Sequence, residues 1–411
     1  MRDDFDVAIV GAGAAGLAAA RRLSGHPLTV VVLEARDRTG GRAHTLRPRP
    51  DLPLDAGAGW LHSADVNPLV PLIEAAGFAI DRGQPAWEKQ AGNQDFPPAD
   101  QDAFGEAFAA FDRRLEEASR AGRDRPAADL LAPDCRWNVL IDAVSAYYNG
   151  AEFDRVSVKD YAAYEDTDVN WRVREGYGAA VAALGAGVEV VTGCAVQAID
   201  HGAAPIRLIT AKGALTARAA VLTAPTPHLA EGRIAFTPDL PDKREAAVGL
   251  PLGLANKVFL GLDDAHDLPA DGHLFGRIDR TETGSYTSRP FSRPYIEGFL
   301  GGRHARGLEG DGAGAATAFA VEELVGLLGS GVRRRLAPLI ETAWASDPWS
   351  LGAYSHALPG RADARAVLAA PTDGRLFWAG EATSATAFST VHGAWESGER
   401  AADEVLAALR P

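Results

Sequence analysis

The sequence has little cysteine, and it has no long apolar segment. Its two cysteines, Cys135 and Cys194, lie far apart and form no C-x-x-C spacing, which argues against a disulfide framework and against a cysteine-based zinc site. No stretch approaches about 18 uninterrupted apolar residues, and the first residues are acidic where a signal peptide would be basic. We therefore expect a cytoplasmic protein that has neither a membrane span nor a bound metal.

The sequence has fewer basic than acidic residues, and lysine in particular is rare. The net charge of −14 argues against nucleic acid as a partner and weakly favours cationic small molecules near the surface. Of the 41 basic residues only five are lysine, so arginine supplies almost every ordinary positive charge. One lysine, Lys257, nevertheless stands inside the apolar stretch LANKVFLGL, where burying an ammonium costs free energy unless a function requires it.

A strand, a glycine-rich turn and a helix are predicted near the start of the chain. In DVAIVGAGAAGLAAARRLS an apolar run ends at a glycine, and a helix-like Ala/Leu/Arg segment follows. The G-x-G-x-x-G spacing allows a tight turn, close approach of the backbone to a pyrophosphate, and close packing of helix on strand. A second strand, LTVVVLE, ends in an acid that can accept hydrogen bonds from a ribose. This pattern predicts dinucleotide binding, with a purely structural βαβ unit as the alternative. The residues expected at the cofactor are Gly11, Gly13, Ala14, Ala15, Gly16 and Glu34.

The segment EARDRTGGRAHT separates flavin binding from nicotinamide binding. A nicotinamide domain does not need a second Gly-Gly-Arg after the ribose-binding acid, whereas an FAD protein can use one at the pyrophosphate. At this point the sequence resembles the FAD-dependent amine oxidase superfamily, and the resemblance covers essentially the whole chain. It implies further FAD contacts at Ala35, Arg36, Gly40, Gly41 and Arg42.

The resemblance implies an α/β fold in which a Rossmann-like FAD-binding domain is interleaved with an α+β substrate-binding domain. The FAD-binding domain would comprise residues 1–80, 186–240 and 340–411, and the substrate-binding domain residues 81–185 and 241–339. A length of 411 residues with 46% hydrophobic content suits two or three structural units. Helical spacing of apolar residues in FGEAFAAFDRRLEEASRA predicts a helical insertion within the second domain.

The segment DAGAGWLHSADVNPL resembles the family's stretch that runs along the flavin ring. Polyamine oxidases continue this stretch with Ile-His-Gly and then Asn-Pro, so His62 falls on a substrate-facing histidine of that subfamily. A loop histidine with a structural role is the alternative. The resemblance implies FAD contacts at Gly57, Ala58, Gly59 and Trp60 and, through the backbone of a later strand, at Val196.

Lys257 also matches a family position. Among amine oxidases, a strand similar to Asn-Lys-Val-Phe-Leu carries a lysine that hydrogen-bonds a water in contact with flavin N5, which implies that Lys257 is catalytic. An ammonium there would support negative charge on the reduced flavin, and its three donors can hold one water. The cost of a partly buried lysine is typical of functional sites. A lysine at a strand edge that reaches solvent is the alternative.

Two C-terminal segments extend the resemblance. WASDPWSLGAYSHALPG is similar to a family block near the flavin or substrate, with core packing as an equal alternative for Tyr354. GRLFWAGEATSATAFSTVHGAWESGE is similar to a strand and helix that meet the FAD, and the helix N-terminus would direct backbone N–H groups at flavin N1 and C2=O. His392 is expected to serve structure rather than proton transfer. The implied FAD contacts are Trp344, Gly380, Glu381, Thr390, Val391 and Ala394.

Two departures from the family pattern concern the flavin and the substrate. Since no cysteine follows Cys194, the cysteinyl link of monoamine oxidases is excluded, and FAD is expected to bind non-covalently. Where amine oxidases often place one tyrosine wall of an aromatic cage, this chain has Ala387, with Phe388 beside it. Both residues are expected near the substrate, in an incomplete cage.

The resemblance predicts an FAD-dependent amine oxidase acting on a polyamine or related amine. Hydride would pass from the α-carbon to flavin N5, the imine would hydrolyse, and O₂ would reoxidise the flavin with release of H₂O₂. An L-amino acid oxidase, which needs an arginine for the substrate carboxylate, and a natural-product oxidoreductase or desaturase are alternatives on the same fold. A non-catalytic flavin-bound scaffold is an alternative of another class. The sequence leaves open whether the protein is a monomer or a homodimer.

Overall fold

The structure is a computed structural model that describes residues 3–91, 95–264 and 267–410. Its strands are β1 (Asp4–Val10), β2 (Val30–Leu33), β3 (Thr45–Arg49), β4 (Leu52–Asp55), β5 (Ile80–Asp81), β6 (Arg172–Val173), β7 (Val190–Val191), β8 (Val196–Asp200), β9 (Ile206–Thr210), β10 (Gly213–Leu222), β11 (Ala235–Thr237), β12 (Ala255–Leu262), β13 (Gly272–Phe275), β14 (Ser285–Ser288), β15 (Tyr295–Gly301), β16 (Leu336–Glu341) and β17 (Leu376–Trp378). Its helices are α1 (Ala14–Leu23), α2 (Leu69–Ala75), α3 (Pro98–Arg120), α4 (Asn138–Tyr148), α5 (Val158–Ala163), α6 (Tyr177–Leu184), α7 (Thr226–Ala230), α8 (Pro241–Gly249), α9 (Gly302–Gly310), α10 (Ala315–Leu328), α11 (Ala364–Ala369) and α12 (Val391–Ala408).

The larger sheet has a parallel core of five strands. Its order is β7-β2-β1-β10, with β17 beside the second half of β10, and every pairing in this core is parallel. The first half of β10 instead pairs antiparallel with β9, and β8 and β11 continue the sheet. Crossovers between parallel strands are typical of doubly wound α/β folds. The predicted strand, turn and helix at the start of the chain, and the α/β class, are confirmed.

The smaller sheet is antiparallel and carries the strand with the unusual lysine. Its order is β13-β14-β15-β12-β16, so LANKVFLGL forms an interior strand, which excludes a lysine at a strand edge. One face packs on α9 and α10 through apolar residues such as Val258, Leu260 and Ile296. Because side chains alternate across a strand, Lys257 and Glu297 belong to the opposite face.

Helix α12 packs the C-terminal part of the chain against α1, the first helix. It lies against α1, and the two share a core with Leu17, Trp395 and Val405. Their approach depends on Gly398, where an added Cβ would lie 2.1 Å from the carbonyl oxygen of Ala15. The predicted long helix after Thr390 is confirmed, since Thr390 is its N-cap residue.

The predicted helix in the middle of the chain is confirmed as α3, which runs from Pro98 to Arg120. Among the residues described, no helix is long and apolar enough to cross a membrane, and no cluster of metal-ligating side chains is found. The division into two discontinuous domains at the predicted boundaries stays a prediction.

Candidate active site

The glycine turn after β1 has the geometry that close backbone approach requires. Gly11 has φ of 102°, and an added Cβ there would lie 2.4 Å from Thr223 Oγ1. An added Cβ at Gly16 would lie 1.9 Å from the carbonyl oxygen of Gly11, so the helix can pack on the strand only without a side chain. Gly13 and Gly40 form a backbone bridge, and Gly41 lies beside Gly13. Two glycine loops therefore meet where the carboxyl ends of the parallel strands open.

Glu34 connects these loops. Its Oε2 accepts from the amide of Ala12 at 2.7 Å, and its Oε1 accepts from the amide of Arg36 at 2.8 Å. The side chain is buried, and each oxygen keeps a further lone pair for a ribose hydroxyl. The Arg36 guanidinium is held away from this carboxylate by Asp347, at 2.8 Å from Nη1, and by Ser350 Oγ, at 2.6 Å from Nη2.

Arg42 and Glu381 form a second junction at the same end of the sheet. Arg42 Nη1 donates to Glu381 Oε1 at 2.8 Å and to the carbonyl oxygen of Ala353 at 2.7 Å. Among the described residues both contacts use Nη1, which leaves Nη2 and Nε for phosphate oxygens. Burial opposes ionisation of Glu381, but Arg42 and Ser355 outweigh it and hold its pKa below the usual range.

A cavity of about 610 Å³ adjoins the loop after β2. It is lined by Ala35, Arg36 and Trp344, three of the predicted FAD contacts, and by His44. Burial, followed by the charges of neighbouring arginines, lowers the pKa of His44 to about 4, so this ring is neutral at neutral pH. Trp344 is fixed at the cavity wall, where its Nε1 donates to the carbonyl oxygen of Ala56 at 3.0 Å.

Lys257 is enclosed by the loop that follows β4. Its side chain is buried, and Nζ donates to the carbonyl oxygen of Asp55 at 2.9 Å and to Glu297 Oε1 at 2.8 Å. An added Cβ at Gly59 would lie 3.1 Å from this Nζ. The structure thus places the lysine beside Gly59, which the family resemblance assigns to the flavin ring.

Asp55 holds this loop in place from the other side. Its carboxylate accepts from Thr45 Oγ1 at 2.6 Å and from the amide of Tyr177 at 2.9 Å, at the first turn of α6. Burial raises its pKa, partly offset by these hydrogen bonds and by the charge of Lys257.

His62 lies in a second group of residues that meet only in the folded chain. Its Nδ1 is 2.6 Å from Asn170 Oδ1, and its ring centroid is 6.4 Å from that of Trp87, which also contacts Trp60 at 4.7 Å. Burial lowers the pKa of His62, while Asn170 and the nearby Asp166 carboxylate oppose this in part. The imidazole is therefore neutral at neutral pH.

The start of α12 approaches the same group. Burial and the proximity of His62 lower the pKa of His392 to about 4. The amide of Glu165 donates to the carbonyl oxygen of Thr386 at 2.9 Å, which ties the segment before α12 to the segment that carries Asp166. Thr390 Oγ1 caps the amide of Gly393 at 3.0 Å. The amides of Val391 and His392, the first two residues of α12, have no partner within the helix because no helical carbonyl precedes them.

The chain was compared with known proteins. The model of the flavin containing amine oxidoreductase family matches residues 14–406. The chain belongs to this family. Polyamine oxidase 2 of Arabidopsis thaliana is 30% identical over 97% of this chain and 87% of its own. Putrescine oxidase bound to putrescine shares the fold with a TM-score of 0.77 and 20% identity, covering 98% of this chain and 99% of that one. Cyclohexylamine oxidase from Brevibacterium oxydans shares the fold with a TM-score of 0.77 and 20% identity, covering 99% of this chain and 99% of that one.

The comparisons confirm the predicted family, and with it an FAD cofactor, amine oxidation and a small-molecule amine substrate. The geometry of this amine oxidase fits FAD, because Gly11 leaves no space for a side chain, Gly41 has a positive φ that disfavours one, and Arg42 retains free donors. A pyrophosphate at the uncapped amides of Ala14 and Ala15 would also meet the positive end of α1. The individual FAD contacts, including Val196 in β8, Gly380 after β17 and Ala394 in α12, stay predictions.

The three predicted substrate residues outside the first loop are already engaged with protein. The Tyr354 hydroxyl donates to the carbonyl oxygen of Tyr147, and its ring is half-buried. Phe388 is buried, with its ring 3.7 Å from Arg365 Cζ and 5.4 Å from the ring of Tyr164. A Cβ added to Gly393 would lie 3.0 Å from the Cβ of Ala387, so Ala387 packs closely against the start of α12. Phe388 therefore supports the segment, and its contact with a substrate stays a prediction.

Sequence reasoning missed the polar partners of the predicted residues. Asp160 and Arg365 form a buried ion pair at 2.6 Å, with side chains that are each 3% exposed, directly behind Phe388. Glu297, Asp166 and Asn170 were missed as well. No short motif contains these residues, and the face that Glu297 shares with Lys257 follows only from the pairing of β12 with β15.

Proposed function

We propose that this amine oxidase acts on polyamines or related amines that carry a second positive charge. The observation that carries the proposal is a group of carboxylates that includes Asp166, whose charge acts on His62. Ser63 Oγ, next to His62 in the chain, donates to Asp166 Oδ1 at 3.2 Å, and the charges of Asp112, Asp166, Glu88 and Asp168 all act on the Tyr148 hydroxyl. Tyr148 and the last three of these acids are exposed. Negative potential around these side chains attracts and orients a cationic chain.

The neutral side chains close to Asp166 suit the reacting end of such a substrate. With Asn170 Oδ1 as acceptor, His62 carries its proton on Nδ1, and Nε2 is left to accept a hydrogen bond from an amine N–H. A neutral imidazole does not repel an amine that binds as a cation. Trp60 and Trp87 supply an apolar wall beside it.

At the flavin, this chain supplies donors and charge. When bound, FAD accepts a hydride from the carbon next to the substrate nitrogen. Lys257 would hold a water at the ring with its remaining N–H, while the N-terminus of α12 would direct its two free amides at the developing negative charge. We further propose that O₂ is the acceptor, that H₂O₂ is released, and that the protein acts in the cytoplasm.

An L-amino acid oxidase is the second candidate, and one arginine favours it. Arg172 Cζ lies 4.9 Å from the ring of Trp60, and within the described part of the chain its buried Nε has no hydrogen-bond partner. A carboxylate could use that donor. The same guanidinium already pairs with Asp271 at 2.5 Å, which weakens this candidate.

Anaerobic reduction of the bound flavin tests the proposal. Polyamines, acetylated polyamines, monoamines and L-amino acids are added separately, and bleaching of the flavin absorbance band is followed. We expect polyamines to bleach it fastest. Faster bleaching by L-amino acids would favour the second candidate, and no bleaching by any amine would overturn the proposal.

Lys257→Met provides a second test, because methionine keeps the length of the side chain but removes the charge and the donors. We expect the variant to retain FAD and to slow flavin reduction, reoxidation by O₂, or both, by about tenfold or more. Stopped-flow absorbance measures the two steps separately. Wild-type rates for both steps would contradict the assigned role of Lys257.

A further inference from the structure

The salt bridge between Lys257 and Glu297 lies next to Gly59, a predicted contact of the flavin ring. The two residues lie on adjacent antiparallel strands, where Lys257 is opposite Phe299 and Glu297 is opposite Phe259. They are diagonal neighbours on the same face of the sheet, a separation that long side chains span readily. Nζ and Oε1 are 2.8 Å apart.

Burial makes this contact strong. The Lys257 side chain is 6% exposed and that of Glu297 is 22% exposed, so water screens the pair only from the glutamate side. Among the described residues, Glu297 is the only carboxylate in ion-pair contact with this lysine. Asp55 contributes its carbonyl oxygen, since its carboxylate is engaged by Thr45 and Tyr177.

The two contacts also orient the ammonium. An ammonium has three donors, and Asp55 and Glu297 occupy two of them. One donor remains on the group that lies beside Gly59, where the absence of a side chain leaves space. The carboxylate thus acts on the lysine in two ways, because it directs the remaining donor and offsets the positive charge.

We propose that Glu297 is a positioning residue that holds Lys257 and determines how much positive charge the lysine presents to the flavin. This inference rests on the proposed placement of Lys257 at the flavin ring. If Glu297 served only stability, its removal would change unfolding and FAD retention without a directed change in the electrostatics of the cofactor.

Sulfite affinity of the holoenzyme measures that electrostatic effect without turnover. Sulfite donates an electron pair to flavin N5, and the negative charge gained by the ring is stabilised by positive groups nearby. At an effective dielectric constant of about 20, a unit charge about 12 Å away changes such an equilibrium by about tenfold, and a nearer charge changes it more. Absorbance titration gives the dissociation constant directly.

Four forms of the enzyme are predicted to fall in a definite order. Glu297→Gln leaves an uncompensated lysine and should bind sulfite about tenfold more tightly than the wild type. Lys257→Met leaves an uncompensated carboxylate and should bind it about tenfold more weakly. The double variant removes both charges and should return to within about threefold of the wild type.

Glu322→Gln is the matched control, since it removes the same charge from an exposed pair with Arg333. Its sulfite affinity should equal that of the wild type. If Glu297→Gln fails to retain FAD, the double variant is compared with Lys257→Met instead. Both of these variants lack the lysine, so they differ only in the charge of residue 297. The double variant should bind sulfite about tenfold more tightly than Lys257→Met.

The outcomes separate this inference from the proposed function. Wild-type affinity in Glu297→Gln together with weakened affinity in Lys257→Met would overturn the role of Glu297 alone. Unchanged affinity in Lys257→Met would instead overturn the placement of Lys257 at the flavin. The predicted order across all four forms supports both.

Discussion

The two sheets contribute to the candidate site in different ways. The parallel sheet presents its contributions at strand ends, in short contiguous motifs such as Gly11 to Gly16 and the acid at Glu34. The antiparallel sheet contributes through one face, with Lys257 and Glu297 on separate strands. The predicted cofactor contacts thus lie mainly in local backbone motifs, whereas the predicted catalytic lysine and its partner are side chains that only strand pairing brings together.

The largest expected effect comes from the buried ion pair between Asp160 in α5 and Arg365 in α11, which belongs to neither sheet. Arg365→Met leaves Asp160 as an uncompensated buried charge behind Phe388, which should lower the free energy of unfolding by about 3 to 5 kcal/mol. Chemical denaturation measures this. Arg361→Met, which breaks the exposed pair with Glu245, should cost less than about 1 kcal/mol. Similar losses in the two variants would contradict the importance of the buried pair.

Gly16→Ala tests the contribution of the parallel sheet to cofactor binding. The new Cβ would lie 1.9 Å from the carbonyl oxygen of Gly11, so the turn must shift, at a cost of about 1 to 3 kcal/mol. We expect the purified variant to lose most of its bound FAD, as measured by flavin absorbance per protein. Gly25→Ala is the control, since an added Cβ there meets no atom within 4 Å. Full flavin content in Gly16→Ala would show that the turn tolerates a side chain.

Acidification probes the antiparallel sheet. Burial lowers the pKa of His273 in β13 from the ordinary 6.5 to about 4. The unfolded chain therefore takes up this proton first, and the contribution to stability is lost as the pH falls from about 6.5 towards 4. At about pH 5 this one histidine should cost roughly 2 kcal/mol relative to about pH 8.

His273→Gln should remove that share of the acid sensitivity, measured as the difference between unfolding free energies at the two pH values. The matched control is His26→Gln, at an exposed position after α1. An equal acid-induced loss in the wild type and in His273→Gln would rule out this histidine as the source.

The smallest effect is expected at the exposed carboxylates. Asp166→Asn removes one negative charge beside His62, and it should raise the KM for a diamine by roughly threefold with little change in kcat. The difference should shrink as salt is added, because exposed charges are screened. Asp239→Asn, on the distant pair with Arg244, should leave the KM unchanged. A salt-independent rise in KM would point to a shape effect instead.

Local patterns in the sequence predicted the glycine turn, the acid after β2, the strand with its lysine and the helix that begins after Thr390. These features are short-range, because turn geometry, side-chain alternation and helix capping depend on residues near each other in the chain. The family was predicted in the same way, since its motifs are local.

Only the tertiary structure decided which polar groups those residues meet. Glu297 is 40 positions after Lys257, and Arg365 is 205 positions after Asp160, yet each forms an ion pair with its partner. No spacing rule connects such residues, because strand order and register determine their distance. For the same reason the sequence identified the lysine as unusual, but the folded chain revealed the carboxylate that compensates it.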